Sequence, residues 1–280
     1  MKKEKKVIET DPTRPIVLKE IEKYEKLGEF DHHTDPVDMS ITLPVDKNFK
    51  YVRKGFFDKT KVFFQRIFIV YPFARKQSKN LGAIVVGKEK IKGIKSAVLT
   101  CNHVNKFDCL VIQNAMMPKK TYVIGAEFNN MKGFFGEMMR VGGMLPLSSD
   151  FSAQKNLLKA VEYYLKKNNY LLVYPEQAMW WYYEKPRPFK DGAFIFAAKH
   201  NVPVIPMFIT FRESGIFDDN GIEHKHFTLN IMDPIYPKAE LSYRENVKYL
   251  MEENHKACVN KYTEVYGKAP EYPELQKTEV

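Results

Sequence analysis

A chain of 280 residues, 44% hydrophobic and 28% charged, is long enough to bury a sizeable core and too balanced for a disordered or fibrous protein. Its net charge of +10 points to an anionic partner: a membrane surface, a nucleic acid or an acidic protein. Three cysteines without a C-x-x-C argue against a disulfide framework and for a reducing compartment.

Residues 1–48 are mixed in charge and hold Pro12, Pro15, Pro36 and Pro44. The opening lysines have no apolar stretch behind them, so the start does not read as a secretory signal. One helix is expected over "IVLKEIEKYEKLG", and the rest reads as an extension or loosely docked arm. His32 and His33, in that arm, are expected to face solvent.

Residues 49–80 change character. Phe56, Phe63, Phe64, Ile67, Phe68 and Tyr71 recur at helical spacing, with Lys54, Lys59, Lys61, Arg66, Arg75 and Lys76 around them. This is the pattern of an amphipathic helix lying in a membrane interface, aromatics in the acyl boundary and cations among the headgroups. A core helix packed on its own domain is the alternative. The run at 62–74 is interrupted by Gln65 and Arg66 and is too short and too charged to cross a bilayer. Nucleic acid is not expected as a partner, because no nucleic-acid motif accompanies the basic residues.

From residue 81 the pattern becomes α/β. Strands are expected at "AIVVG", "SAVLTC", "TYVIG", "MLPL", "YLLVYP", "VPVIPMFITF" and "FTLNIMDPIY". Helices are expected at "DCLVIQNAM", "GFFGEMMRVG", "AQKNLLKAVEYYLKKN", "DGAFIFAAKH" and over 241–267. Alternating strands and helices predict a mostly parallel sheet flanked by helices, with functional residues just past the strand ends. The expected organisation is an extension (1–48), an amphipathic segment (49–80), an α/β core (81–240) and a C-terminal helix and tail (241–280).

His103 follows the strand "SAVLTC", with Asp108 five residues on. An imidazole near neutral pKa can take a proton from a hydroxyl, and a carboxylate on its second nitrogen fixes the tautomer. Asp108 could alternatively be a plain N-cap of the helix beginning at Cys109, and the two roles are compatible. No G-x-S-x-G elbow supplies a serine nucleophile, which points to direct attack by a substrate hydroxyl or water. Cys101, His103, Asp108 and Cys109 lie close together and His224 and His226 form H-x-H. No zinc spacing results, so no metal is expected and the cysteines read as packing. A second cluster is "VYPEQAMWWYYEKPRPFK": Glu176 stands past a strand, positioned to hold a substrate hydroxyl or to organise backbone amides. Trp180, Trp181, Tyr182 and Tyr183 are hard to bury together and suit a lipid-facing rim or an apolar tunnel wall.

"NHVNKFD" resembles the H-x-x-x-x-D block of the glycerolipid acyltransferases related to 1-acyl-glycerol-3-phosphate acyltransferase. "EFNNMKGFFGEMMRVGGMLPL" is similar to the segment holding that family's second block, "VYPEQ" to the third, V-x-P-E-G-T-R, and "VPVIP" to the fourth. The blocks come in order over roughly residues 81–215, and an amphipathic segment ahead of the core also matches the family. The resemblance implies acyl transfer from acyl-CoA or an acyl-carrier protein to the hydroxyl of a lyso-glycerolipid, by default 1-acylglycerol-3-phosphate, in phospholipid biosynthesis. His103 would be the base and Asp108 its orienter. Glu176, Asn105, Lys106, Gln177 and Arg187 would bind substrate. No cofactor beyond the thioester co-substrate is implied, and the enzyme would sit at the cytoplasmic face of the membrane, peripheral or monotopic.

Two blocks depart from the family pattern. "GGMLPLSSD" lacks the second block's arginine, and Gln177-Ala178-Met179 replace Gly-Thr-Arg in the third. In the family those cations help bind the acceptor's phosphomonoester. Lys106, Lys185, Arg187 and Lys190 are nearby but not in matching positions. The alternatives are therefore a lyso-glycolipid or substituted lysophospholipid as acceptor, a hydrolase using water, or a non-catalytic membrane-binding protein on the same scaffold.

Overall fold

The computed structural model describes residues 11–274, so the outer ends of the 1–48 and 241–280 segments lie outside the described residues. Seven strands form the described sheet: β1 (Ile84–Val86), β2 (Ala97–Thr100), β3 (Thr121–Gly125), β4 (Met144–Pro146), β5 (Tyr170–Val173), β6 (Val204–Arg212) and β7 (His226–Ile231). Their spatial order is β1-β7-β6-β2-β5-β3-β4. All neighbours run parallel except β6 and β7. The α/β class with a mostly parallel sheet is thus observed. The last expected strand is shorter than "FTLNIMDPIY", ending at Ile231 two residues before Asp233-Pro234, where proline removes a ladder donor.

Helices cover both faces: α1 (Arg14–Leu27), α2 (Phe56–Gln65), α3 (Tyr71–Asn80), α4 (Asp108–Met116), α5 (Gly133–Gly142), α6 (Phe151–Lys166), α7 (Gly192–His200) and α8 (Tyr243–Tyr266). The strands alternate to serve them. Ala97, Leu99, Leu172, Ile205 and Met207 pack with Val111, Ile112 and Ala115 of α4. Val98, Leu171 and Val173 point the other way, into Leu157 and Val161 of α6, Phe194 of α7 and Leu250 of α8. β2 and β5 pair at the centre, Leu99 opposite Leu172, both without solvent exposure. Each such side chain contributes roughly 1.5–3 kcal/mol on burial. Helix starts follow local chemistry: Asp150 accepts from Ala153 N at 2.7 Å to open α6, and Ser242 and Glu245 form a reciprocal cap on α8.

Residues 11–52 are not a loose arm. Val17 and Ile21 of α1 bury against Trp180 and Tyr183. The chain then crosses the sheet's C-terminal edge: Leu43 N donates to Asn130 O, Val45 N to Glu127 Oε1, and Tyr51 OH to Pro146 O. These anchors are backbone-mediated and leave no periodic trace in the sequence.

α2 and α3 join through a wide π turn, Arg66–Val70, into one helical run over 56–80. Its aromatic side faces outward: Phe56, Phe57 and Phe68 are 78%, 85% and 69% exposed, and no residue of α2 is buried. Arg66, expected among the outer cations, is instead buried. Its Nε donates to Val141 O at 2.6 Å and its guanidinium lies over Tyr122. Tyr71, expected on the aromatic face, is half-buried. Among the described residues no helix is long and apolar enough to cross a membrane.

Candidate active site

β2 ends at Thr100, and the chain turns through Asn102 and His103 into α4. Asn102 fixes the turn by bonding both ways to β6: its amide donates to Ile209 O at 3.0 Å and its oxygen accepts from Ile209 N at 2.7 Å. His103 Nδ1 then lies 2.8 Å from Asp108 Oδ2, which also accepts from Val104 N (3.0 Å) and Asn105 N (3.3 Å). Asp108 is fully buried at the first position of α4. Its carboxylate is turned back onto the His103 loop, so the alternative in which it caps the helix does not occur. Asn105 is buried, and its side chain accepts from Phe107 N at 2.9 Å, which shapes the turn rather than facing a ligand. With Nδ1 tied to Asp108, the imidazole has Nε2 left for a substrate, and the His103 side chain retains 23% of its exposure.

Tyr174, the residue after β5, was not singled out by its sequence context, where it reads as the tail of an apolar strand. Its hydroxyl donates to Asp108 Oδ1 at 2.6 Å, and its ring stacks on His103 with centroids 4.0 Å apart. Burial, then the neighbouring Asp108, pushes its phenol well above the ordinary range, so it remains a donor.

Glu176 reaches the same edge but does not face a ligand. It is almost fully buried, accepts from His103 N at 3.3 Å and Arg187 N at 3.0 Å, and pairs with the Arg187 guanidinium at 2.8 Å. Of the two roles read from sequence, it takes that of organising backbone amides. Arg187 is a correction: expected at the substrate, it is 1% exposed. Its donors meet Glu176, Phe30 O, Ala178 O and, at 3.4 Å, His103 O, and its guanidinium lies over Trp180. Gln177 is exposed with φ 66, a left-handed conformation that favours glycine. Lys106 is exposed, its ammonium over the Phe107 ring.

The aromatic run is likewise corrected. Trp180, Tyr182 and Tyr183 are buried and Trp181 is half-buried. Trp180 N and Tyr182 N donate to His103 O and Val104 O, so the run braces the His103 loop by backbone pairing. The rings of Trp180, Trp181 and Tyr183 are covered by α1 and the following segment: Trp180 Nε1 donates to His32 O, Tyr183 OH to Glu25, and Arg14 sits over Trp181. His32 stacks on Tyr24 and His33 packs edge-on to Phe128, although both keep much of their area in solvent. Burial first, then the charge of nearby His103, holds His33 below its ordinary pKa.

The three cysteines are free. Burial raises the thiols of Cys101, Cys109 and Cys258, which makes them poor ligands and poor nucleophiles. Among the described residues no group of three or more His, Cys, Asp or Glu is arranged to hold a metal.

Residues 82–210 match the model of a protein family described as Acyltransferase. Among solved structures, the chain is similar to the crystal structure of the 1-acyl-sn-glycerophosphate (LPA) acyltransferase PlsC from Thermotoga maritima. The two are 18% identical with a TM-score of 0.55, over 77% of this chain and 91% of that one. At this identity the likeness is one of fold. No curated protein gives a significant match.

Proposed function

With residues 82–210 forming an Acyltransferase-family domain, we propose that this chain moves a fatty acyl group from a thioester to a hydroxyl of a lyso-glycerolipid. The carrying observation is the half-buried His103, bound through Nδ1 to fully buried Asp108 at the C-terminal edge of a mostly parallel sheet. His103 Nε2 takes the proton of the acceptor hydroxyl as its oxygen attacks the thioester carbonyl carbon. The oxyanion that develops requires preorganised donors. Collapse breaks the carbon–sulfur bond. The departing thiolate takes the proton back from the imidazolium, leaving an ester, a free thiol and a neutral His103. No enzyme nucleophile is needed, and the donor, acyl-CoA or acyl-carrier protein, is a co-substrate.

The default acceptor is 1-acylglycerol-3-phosphate, which the similar PlsC enzyme's name also gives. A specific observation favours a second reading. Arg187 is committed to Glu176, Arg53 to Glu137, and Arg140 to Glu137, Asn130 and Met131 O. Lys106 remains as the exposed cation of the catalytic loop. A phosphate dianion is poorly paired by one lysine, whereas a substituted phosphate or a sugar headgroup needs fewer cations. In this reading the protein is peripheral or monotopic on the cytoplasmic face of a membrane, where the outward-facing aromatics of 56–80 meet lipid.

The test is a panel of lyso-acceptors, phosphomonoester, substituted phosphate and glycolipid, each given acyl-CoA or acyl-carrier thioester. Thiol release should depend on acceptor and fall by roughly 10²–10⁴-fold in His103→Ala. Thiol release without acceptor would mean a hydrolase. Release indifferent to His103 would remove the catalytic reading. Clear preference for the phosphomonoester would remove the second acceptor reading.

A further inference from the structure

Asp108 has two carboxylate oxygens in very different company. Oδ2 meets three donors: the His103 imidazole and the amides of Val104 and Asn105. Oδ1 meets the Tyr174 hydroxyl at 2.6 Å, the shortest contact the carboxylate makes. The same tyrosine lays its ring along the imidazole, 14° from parallel. One side chain therefore touches both members of the pair, one through its edge and the other through its face.

We propose that Tyr174 is a positioning residue that fixes the plane of His103 and tempers the charge that Asp108 presents to it. The inference rests on the acyl-transfer reading for its kinetic consequence, but its physical content stands on geometry alone. An imidazole held by one hydrogen bond can still rock about the Nδ1···Oδ2 axis. A parallel ring at 4.0 Å closes one side of that motion and keeps Nε2 aimed. A buried carboxylate that shares its charge with a phenol donor also exerts a weaker field on its neighbour. Deleting that donor concentrates the negative charge beside His103 and favours the imidazolium, the form that cannot act as a base. Tyr174 reaches both groups because β5 pairs with β2 and delivers it at the end of Val173, beside the turn that carries His103.

Two substitutions separate the functions. Tyr174→Phe keeps the ring and removes the donor; Tyr174→Leu removes both. In the full chain with histidine labelled for NMR, and the His103 signal assigned by its loss in His103→Gln, Tyr174→Phe should move the His103 titration to higher pH than in the wild-type chain. The acidic limb of kcat/KM should move the same way, and kcat should fall about tenfold with KM for both substrates unchanged. Tyr174→Leu should lower kcat further. An unmoved His103 titration with unchanged kcat in Tyr174→Phe overturns the inference, as does a loss of activity that tracks thermal stability with no movement of the pH profile. If the wild-type chain transfers no acyl group, the acyl-transfer reading fails, while the NMR titration still decides whether Tyr174 tunes His103.

Discussion

Arg187 is a buried guanidinium whose partners are all protein groups. Arg187→Ala would strand Glu176 inside the protein without its counter-charge, and a broken buried pair typically costs about 3–5 kcal/mol. The expected result is a large fall in denaturant midpoint, with the acceptor KM unchanged in whatever fraction stays folded. A selective rise in KM at full stability would return Arg187 to the substrate. At Gln177 the backbone is strained, with φ 66 in a residue that carries a Cβ. Gln177→Gly should relieve the left-handed conformation and raise stability by roughly 0.5–1 kcal/mol, the strain less glycine's entropy. If Gln177 bonds the acceptor, the same variant raises KM as it gains stability, so one unfolding curve and one kinetic measurement decide its role. His103 and Asp108 were legible because their spacing sits behind an apolar strand. Tyr174 and the Glu176–Arg187 pair were not: the first is hidden in a strand tail, and the second joins positions eleven residues apart across an aromatic-rich loop with no periodicity.

Most elements could be read from sequence, because a strand buried on both faces leaves a short apolar run and an amphipathic helix leaves a 3.6-residue rhythm. The docking of the segment ahead of α2 could not, although its helix could, because the segment docks through backbone bonds and through rings that the sequence suggested were exposed. Its hold has an acid-sensitive point at the start of α1. Burial raises the Asp11 pKa, but hydrogen bonds from Thr13 and Arg14 outweigh it and hold the carboxyl down to about 2. The folded value lies below the ordinary carboxylate value, so these contacts stabilise the start of α1, and with it the seat of Arg14 over Trp181, fully above about pH 4. Their contribution fades as pH falls through about 2. The chain has two tryptophans, Trp180 and Trp181, and α1 covers both: Val17 packs on the first and Arg14 lies over the second. Their emission should shift to the red between about pH 4 and 2. Asp11→Asn should shift it at neutral pH instead. Emission that moves only together with the loss of far-UV circular dichroism would show that α1 has no separate acid transition.

At the scale of the whole molecule, the His103–Asp108 pair and the outward-facing aromatics share one side of the sheet. Phe73 of α3 packs edge-on against Phe107, the residue before Asp108, so the helical run over 56–80 touches the loop between His103 and Asp108 directly. Phe134 and Phe135 at the start of α5, 68% and 52% exposed, add to the apolar surface beside it. Lys54, Lys59, Lys61 and Lys132 are exposed around these rings. An apolar surface fringed with lysines, on a helix whose one inward arginine is bonded to the core, supports the proposal that this face enters an anionic bilayer. Docked this way, the enzyme would meet an acceptor whose tail stays in lipid. The triple change Phe56→Ser, Phe57→Ser and Phe68→Ser removes three rings that make little contact with the fold, so stability should hold. Each fully inserted ring is worth about 1.5–3 kcal/mol, so losing three should weaken binding to anionic vesicles by at least roughly a hundredfold. Acylation of a bilayer-embedded acceptor should fall with it, while a short-chain acceptor dissolved in water should react at the wild-type rate. Undiminished vesicle binding in the triple variant would move the membrane contact to another face. Equal loss on both acceptors would instead make these rings part of the active site's own structure.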